Sequence, residues 1–253
     1  MSAAADAFWA DVPFGEGVKR IVTDANGLTA LDKPEGVLSH PNGPRDQDRS
    51  LVRAKYDEHG EYFEWTGADG NLRRLWLINR LDSATSGLIL VATTDKLASE
   101  VRAQFKKRQV SKTYQALVFG KPRQKMETWT DLLEVRKLGG KIRTQAGSGR
   151  LPAQSRMALV RAGDGNPRIS LISLEPQTGR SHQLRVQCAK RGMPIVGDQT
   201  YGNFGANRLF AKSAGSKRMF LHSMETSFDY TFAGRENSFS AKAPLPPEFI
   251  RQD

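Results

Sequence analysis

A charged pair, Arg80 and Asp82, lies between two short apolar runs in the stretch Leu75–Thr94. Both runs predict strands, and the second, residues 88–91, favours a buried strand because every side chain in it is aliphatic. The residues between the runs are small or polar and end in Gly87, which is typical of a tight turn. A buried carboxylate is costly unless it is paired or takes part in chemistry. Asp82 is therefore the first candidate for a catalytic group.

The periodicity of the chain predicts the elements that must position Asp82. Residues 95–108 predict a helix, because Asp95 can cap its start and Leu97, Val101 and Phe105 recur on one face. The remaining pattern predicts, in chain order, strands at 21–23 and 28–31, a short helix within 50–56, strands at 61–65 and 112–119, a hairpin turn at Gly139 and Gly140, strands at 155–160 and 168–174, a helix over 181–191, a basic loop over 204–217 and a closing strand from Phe220.

The charge balance points to a polyanionic partner. The 253 residues carry a formal net charge of +11, with a pI near 9.9, which favours nucleic acid as the partner. A generally basic protein without such a partner is the alternative. One cysteine, Cys188, excludes an internal disulfide and fits a reducing compartment. No apolar run reaches the roughly 20 residues of a membrane span and the N-terminus lacks a secretory signal pattern, so we expect a cytoplasmic protein without membrane contact.

The residue types that hold metals and nucleotides are not arranged for either task. The four histidines and the one cysteine lack the spacing of a metal site. Neither a phosphate-binding glycine loop nor the turn of a hydrolase nucleophile occurs. We therefore expect neither a metal nor a nucleotide cofactor.

Four separated motifs resemble one enzyme family. The RLDxxTSGL motif of the RluA-type pseudouridine synthases resembles residues 80–88, which read RLDSATSGL, with Asn79 where the family usually has His. The other motifs occur in the family's order and end at its usual C-terminal segment, residues 239–246. They are DKPxGxxxH at residues 32–40, KxYxAxVxG at residues 112–120, and GRxHQxRxxxxxxGxPIxGDxxYG at residues 179–202.

The resemblance implies an α+β fold with a large, mixed and mostly antiparallel sheet, flanking helices and a central active-site cleft. It covers roughly residues 20–250. We therefore expect a catalytic domain over residues 18–253 behind an N-terminal tail or arm at residues 1–17. The sequence gives no sign of the small S4 module that some members carry for RNA binding.

The reaction that the resemblance implies converts a uridine in RNA to pseudouridine. The N1–C1′ bond breaks, the base turns, and C5 joins the sugar, which needs a carboxylate but no redox step, phosphate energy or metal. The resemblance assigns the carboxylate to Asp82, and attack on the sugar, attack on C6 of the base and non-covalent assistance all stay open.

Other positions receive roles from the same resemblance. Arg185 is the cation that keeps Asp82 ionised, and Tyr114 stacks on the target base. Arg80 fills the gap that remains when the base flips out of its stack. Further RNA contacts are implied for Lys33, His40, Thr85, Arg180 and His182.

Two other classes of function fit parts of the pattern. A non-catalytic RNA-binding protein on the same fold would survive the loss of Asp82, and a hydrolase of N-glycosidic bonds would release free uracil. Within the family, ribosomal and transfer RNA are both possible substrates. We expect a monomer, because no apolar interface stands out in the sequence.

Overall fold

The computed structural model describes residues 3–138, 141–147 and 149–250. No helix within these ranges is long and apolar enough to cross a membrane. The helices and strands are, in chain order, α1 (Ala3–Ala10), β1 (Lys19–Thr23), β2 (Leu28–Lys33), β3 (Lys55–Asp57), β4 (Tyr62–Thr66), β5 (Leu72–Leu77), β6 (Ser86–Ala92), α2 (Asp95–Lys107), β7 (Ser111–Phe119), β8 (Met126–Leu138), β9 (Lys141–Ala146), β10 (Leu151–Ala162), β11 (Ile169–Pro176), α3 (Gln183–Lys190), α4 (Phe204–Ala214), β12 (Leu221–Phe232) and β13 (Arg235–Lys242).

The chain divides into two compact units. Unit 1 takes in the chain up to Val110 together with Glu225–Ala243, and unit 2 takes in Ser111–Met224 together with the chain from Pro244. Strands of unit 1 follow the order β3-β4-β5-β6-β2-β1, with β12 and β13 forming a hairpin, and strands of unit 2 follow the order β7-β11-β10-β8-β9. Every pair of strands whose register is described is antiparallel. The predicted α+β class, rich in antiparallel strands, is confirmed.

β6 is buried along its whole length and faces a different apolar cluster on each side. Leu88, Leu90 and Ala92 belong to the cluster that α2 covers, whereas Ile89 and Val91 belong to the cluster that the N-terminal residues cover. Successive side chains of a strand point to opposite faces, so an uninterrupted aliphatic run fills both clusters at once. The predicted buried strand is confirmed, and it is the central strand of unit 1.

The helix α2 begins and ends almost where the sequence predicts. Leu97, Ala98 and Val101 are buried on one face. The predicted cap is wrong by one residue, because the side chain of Thr94 accepts the hydrogen bond from the N–H of Leu97 at 3.3 Å. Asp95 is instead the first helical residue, where its charge suits the positive end of the helix dipole.

Residues 8–12 contribute side chains to the core of unit 1. Trp9 is 6% exposed and Val12 is also buried, both in the cluster that contains Phe63 of β4. Asp11 forms an ion pair with Arg73 of β5 at 3.1 Å. A boundary between arm and domain at residue 17 stays a prediction, but this segment packs as part of the unit.

Two predicted elements are wrong. The helix predicted within residues 50–56 is absent; a 3₁₀ turn at Pro44–Arg49 precedes this stretch, and Lys55–Asp57 pairs with β4 as an edge strand. The basic loop predicted over 204–217 contains α4, whose start is capped by the side chain of Asn203 and whose end is the left-handed Gly215. The predicted hairpin turn at residues 139–140 lies outside the described residues, although β8 and β9 on either side of it are paired.

We predict that Trp9→Ala lowers the free energy of unfolding by about 3–5 kcal/mol, because it removes a large buried aromatic side chain. Leu72→Ala is the control, since Leu72 is 61% exposed and its loss should change stability by less than about 0.5 kcal/mol. Urea denaturation of both variants measures the difference. Equal midpoints would contradict the assignment of the N-terminal residues to the core.

Candidate active site

The Asp82 side chain stands at the first position of a turn. The N–H of Thr85 donates to the carbonyl oxygen of Asp82 at 2.9 Å, and β6 begins at Ser86. The carboxylate is half-buried, whereas Thr85 is buried. The turn therefore presents the carboxylate at the surface of unit 1 while the residues after it enter the core.

Asn79 fixes the point where the chain leaves the sheet. The N–H of Ile78 donates to the carbonyl oxygen of Leu90 at 2.9 Å, and the N–H of Leu90 donates to Oδ1 of Asn79 at 2.8 Å. The side-chain oxygen therefore takes the place of a backbone carbonyl in the ladder, and the backbone after Asn79 is free to turn towards Asp82. A His with an acceptor nitrogen has the same capacity, which gives a physical reason for Asn at this position.

The segment 33–39 holds the Asp82 turn from its other side. Nζ of Lys33 donates to the carbonyl oxygens of Pro34, Val37 and Ser83 at 2.7–3.1 Å. Oγ of Ser39 donates to the carbonyl oxygen of Leu81 at 2.7 Å and accepts from the N–H of the same residue at 2.9 Å. The backbone before and after Asp82 is thus hydrogen-bonded to the DKPxGxxxH segment.

The burial of two predicted RNA contacts argues against that role. Lys33 is 0% exposed and Thr85 is 3% exposed, so neither side chain presents a surface to a macromolecule. Lys33 replaces its hydration with three carbonyl oxygens, which is how a buried ammonium is tolerated. Both residues hold the loop together, and direct RNA contact by them stays a prediction.

Arg80 and His40 lie together at the surface of unit 1. Nη1 of Arg80 is 3.4 Å from Nε2 of His40, and Nδ1 of His40 is 3.0 Å from the carbonyl oxygen of Pro41. Because a guanidinium only donates and a carbonyl oxygen only accepts, this geometry fits Nε2 of His40 as an acceptor and Nδ1 as a donor. The His40 ring stacks on Tyr56 with centroids 4.8 Å apart, and burial, followed by the nearby charge of Glu61, raises the pKa of Tyr56 to about 12. Arg80 itself is exposed.

In unit 2, Tyr114 lies where β7 enters the core. It is half-buried and pairs in register with Leu174 of β11, and the five residues that follow it, 115–119, are all buried. Its strand is therefore fixed by the core of unit 2, as the sequence predicts for residues 112–119.

Arg185 forms the most buried ion pair described in unit 2. Its Nε and Nη2 each lie 2.8 Å from an oxygen of Asp198, and both side chains are nearly inaccessible. The guanidinium also lies over the ring of Tyr201, 5.1 Å from its centroid. Burial alone would raise the pKa of the Asp198 carboxyl, but the hydrogen bonds and charge of Arg185 and the N–H groups of Tyr201 and Thr200 outweigh it and lower that pKa.

The helix that carries Arg185 is held by polar contacts along its buried face. Gln187 accepts from Oγ of Ser155 at 2.8 Å and donates to Asp131 at 2.9 Å. Asp131 also binds Lys190 at 2.6 Å and Arg191 at 2.9 Å, and these contacts lower the pKa of its carboxyl against the opposing effect of burial. The end of α3 is thereby fixed to β8, which restricts the position of Arg185 one turn earlier.

The other end of α3 is fixed through His182. This residue has a left-handed backbone, with φ of 54°, and its Nδ1 is 2.8 Å from the hydroxyl oxygen of Tyr201. That hydroxyl accepts from the N–H of Thr144 at 2.8 Å, while Oγ1 of Thr144 donates to the carbonyl oxygen of Ser181 at 2.9 Å. Arg180 is half-buried and Nε donates to the carbonyl oxygen of Pro152 at 3.3 Å.

Comparison with known proteins identifies the fold and the motifs together. The family model described as RNA pseudouridylate synthase matches residues 27–190, which is more than half of the chain. The chain belongs to the RNA pseudouridylate synthase family.

The relatives of this synthase cover nearly all of its length. It is 32% identical to a ribosomal large subunit pseudouridine synthase C of Rickettsia felis, over 90% of this chain and 70% of the relative. It is 30% identical to a tRNA pseudouridine synthase C of Vibrio cholerae, over 84% of this chain and 86% of the relative. The solved structure of human RNA pseudouridylate synthase domain containing 1 has a TM-score of 0.65 at 22% identity, covering 92% of this chain and 86% of that one, and shares the fold. The predicted family, fold class and isomerase activity are confirmed.

The synthase divides its candidate residues between the units. Unit 1 contains Asp82, Arg80 and His40, which are at least partly exposed. It also contains Lys33 and Thr85, which are buried. The candidates of unit 2 are Tyr114, Arg180, His182 and Arg185.

Sequence reasoning missed the residues that hold these side chains in place. The sequence places Asp198 in a motif without assigning it a role, and it assigns none to Asp131 or Ser39. The Gly197-Asp198 pair, which belongs to the GDxxYG part of the long motif, is the available signal for a buried carboxylate. Asp131 and Ser39 carry no comparable local signal, because their partners are distant in sequence.

We predict that Asp198→Asn lowers the free energy of unfolding at neutral pH by about 3–5 kcal/mol, because it leaves the charge of Arg185 buried beside a neutral partner. The native pKa of Asp198 lies below its unfolded value, so its contribution is complete above about pH 4 and is lost as the pH falls through the native pKa. The gap between wild type and variant should therefore narrow in acid. Urea denaturation as a function of pH measures it.

Asp164→Asn is the matched control, because Asp164 is an exposed aspartate of the same unit. It should change stability by less than about 0.5 kcal/mol. A gap for Asp198→Asn that stays constant down to acid pH would contradict the assignment of its contribution to the ionised carboxylate.

Proposed function

We propose that this synthase converts a specific uridine of ribosomal or transfer RNA to pseudouridine, with Asp82 as its catalytic carboxylate. The RNA classes are those named for its relatives. The observation that carries the role of Asp82 is the construction of its turn. Hydrogen bonds from Lys33 and Ser39 hold the backbone on both sides, while the carboxylate stays half-exposed. Fixing a reactive group before substrate binds is the main way in which a protein raises its effective concentration.

The chemistry of the proposal requires one carboxylate that can act on the nucleoside. The N1–C1′ bond of the uridine breaks and a C5–C1′ bond forms, so that a proton leaves C5 and one joins N1. Asp82 either attacks C1′, as a carboxylate does in retaining glycosidases, or attacks C6 of the base, or assists without a covalent bond. Arg185 is the second catalytic residue of the proposal, and the orientation of its guanidinium is supported by the bidentate pair with Asp198. Tyr114 stacks on the target base.

Access to the target uridine requires that it leave its stack. Enzymes that act on a base within structured nucleic acid flip it out and compensate for the lost stacking. We assign the compensating group to Arg80, because a planar guanidinium stacks on bases and His40 supports this exposed side chain. Arg180, His182 and His40 are proposed RNA contacts.

The proposal also covers the cellular compartment and the oligomeric state. A single buried cysteine and a net charge of +11 fit an RNA-modifying enzyme of the cytoplasm. We propose that the enzyme acts as a monomer.

We predict that Asp82→Ala abolishes pseudouridine formation, while the Kd for RNA stays within about 3-fold of wild type. The reason is that the carboxylate acts on the nucleoside and does not bind phosphates. The measurement is pseudouridine mapping by carbodiimide-dependent reverse-transcription stops on total RNA from cells with and without the gene. One or a few sites should be lost on deletion and restored by wild type only.

The same add-back separates the alternatives. Restoration by Asp82→Ala would indicate a non-catalytic RNA-binding role, and free uracil released by purified protein would indicate glycosidic hydrolysis. Ser83→Ala is the matched control, because Ser83 is an exposed neighbour of Asp82 whose side chain has no assigned role. It should keep the activity.

We also predict that RNA affinity falls steeply with salt. Each phosphate contacted by Lys or Arg releases a counterion, which contributes about −0.7 to −0.9 to the slope of log K against log salt. Fluorescence anisotropy of a labelled transcript over a salt series measures this slope. A Kd that does not change with salt would contradict binding of RNA through contacts of Lys and Arg with phosphates.

A further inference from the structure

A basic pocket lies against α4 in unit 2, in the stretch where the sequence predicts only a loop. Its volume is about 440 Å³, within the range of roughly 300–1,000 Å³ that is usual for ligand sites. We call it the α4 pocket and define it by its lining residues, which are Gly197, Gln199, Phe204, Asn207, Arg208, Phe210, Ala211, Lys212, Ser216 and Lys217.

The charges of the α4 pocket have one sign. Arg208, Lys212 and Lys217 are exposed, and none of the three forms an ion pair within the described part of the chain. None of the described residues that line the pocket carries a carboxylate. Arg208 and Lys212 are four residues apart on α4, so they lie about 6 Å apart along the helix axis on one face. Two adjacent cations that have no acidic partner among the described residues favour successive phosphates of a strand.

An exposed aromatic ring lies beside these cations. Phe204 is 55% exposed at the first position of α4, four residues before Arg208 and on the same face. Exposed aromatic rings beside phosphate-binding cations are the usual platform for an unpaired base. Gln199 and Ser216 add an amide and a hydroxyl, which can meet the polar edge of a base.

Hydrogen bonds connect the α4 pocket to Asp198, the residue that binds Arg185. Asn207 accepts from the N–H of Gly197 at 2.8 Å and donates to the carbonyl oxygen of Asp198 at 3.0 Å. The carboxylate of Asp198 is the one that holds Arg185. A ligand in the α4 pocket would therefore bind to the same rigid segment that fixes Arg185.

We propose that the α4 pocket binds one unpaired nucleotide of the substrate RNA, with its base on Phe204 and its flanking phosphates on Arg208, Lys212 and Lys217. This inference rests on the proposed function, because it names a contact of the same RNA outside the residues that the sequence motifs supply. Charge alone would also suit an acidic peptide, but the exposed ring and the amide and hydroxyl beside it favour a nucleotide.

The ring is tested by a pair of variants on the same helix. Phe204→Ala should raise the Kd for a substrate transcript about 10-fold, since base–aromatic stacking is lost, and should leave the single-turnover rate at saturating RNA unchanged. Leu209→Ala is the control, because Leu209 is 66% exposed on α4 but does not line the pocket. Its Kd should stay within about 2-fold of wild type.

The cations are tested by two triple variants. Replacement of Arg208, Lys212 and Lys217 by Gln keeps the helix propensity at the two positions on α4 and should lower the salt slope by about 2–3. The control replaces Lys121, Arg123 and Lys125, which are exposed cations of the same unit outside the pocket, and should change the slope by less than one. Chemical footprinting of the bound transcript should show one unpaired nucleotide whose protection is lost in Phe204→Ala and kept in Leu209→Ala.

Three outcomes would overturn the inference. Equal Kd values for Phe204→Ala and Leu209→Ala, with wild type active, would remove the nucleotide from the pocket and leave the proposed function standing. A loss with the pocket triple variant but none with Phe204→Ala, together with equal competition by polyglutamate, would assign a general anion site. If wild type neither binds nor modifies any transcript, the proposed function fails as well, and that result is distinguishable because it precedes any comparison of variants.

Discussion

The position of Asp82 depends on the burial of β6 on both faces. A strand whose alternate side chains fill two separate apolar clusters cannot shift by one residue, because each side chain would then move to the wrong cluster. The register of β6 therefore fixes where the preceding turn begins. At that point the side chain of Asn79 accepts the hydrogen bond of Leu90 N–H, and the turn that carries Asp82 follows.

Hydrogen bonds of polar groups, together with the apolar clusters, hold the candidate residues in place. Lys33 and Ser39 bind backbone atoms on both sides of Asp82. In unit 2, Asp131 binds Lys190 at the end of α3, and Asp198 binds Arg185 on the same helix. Such buried polar networks add little net stability, but they specify one arrangement, because any other arrangement leaves a charge unpaired. The synthase uses this specificity where orientation matters for chemistry.

The net positive charge is divided between two tasks. Arg185 and Arg191 are committed to buried carboxylates, with Arg191 also lying over Trp129 at 4.5 Å. Arg208 and Lys212 face outward without partners in the described part of the chain. Only the second kind can release counterions on RNA, so a count of basic residues overstates the charge available for binding.

The amino-acid sequence was enough to predict the family, the reaction class, the turn that carries Asp82 and most strands. Those features follow from short motifs and from the alternation of side chains, which are local in sequence. It did not determine that residues 55–57 pair as an edge strand, that α4 forms within a basic stretch, or that Lys33 is buried against three carbonyl oxygens. Asp131, Ser39 and Asp198 each bind a residue that lies from 13 to 60 residues away along the chain, namely Arg191, Leu81 and Arg185. Only the tertiary structure brings such groups into hydrogen-bond distance, because a contact between remote residues exists only after the sheet has set their register.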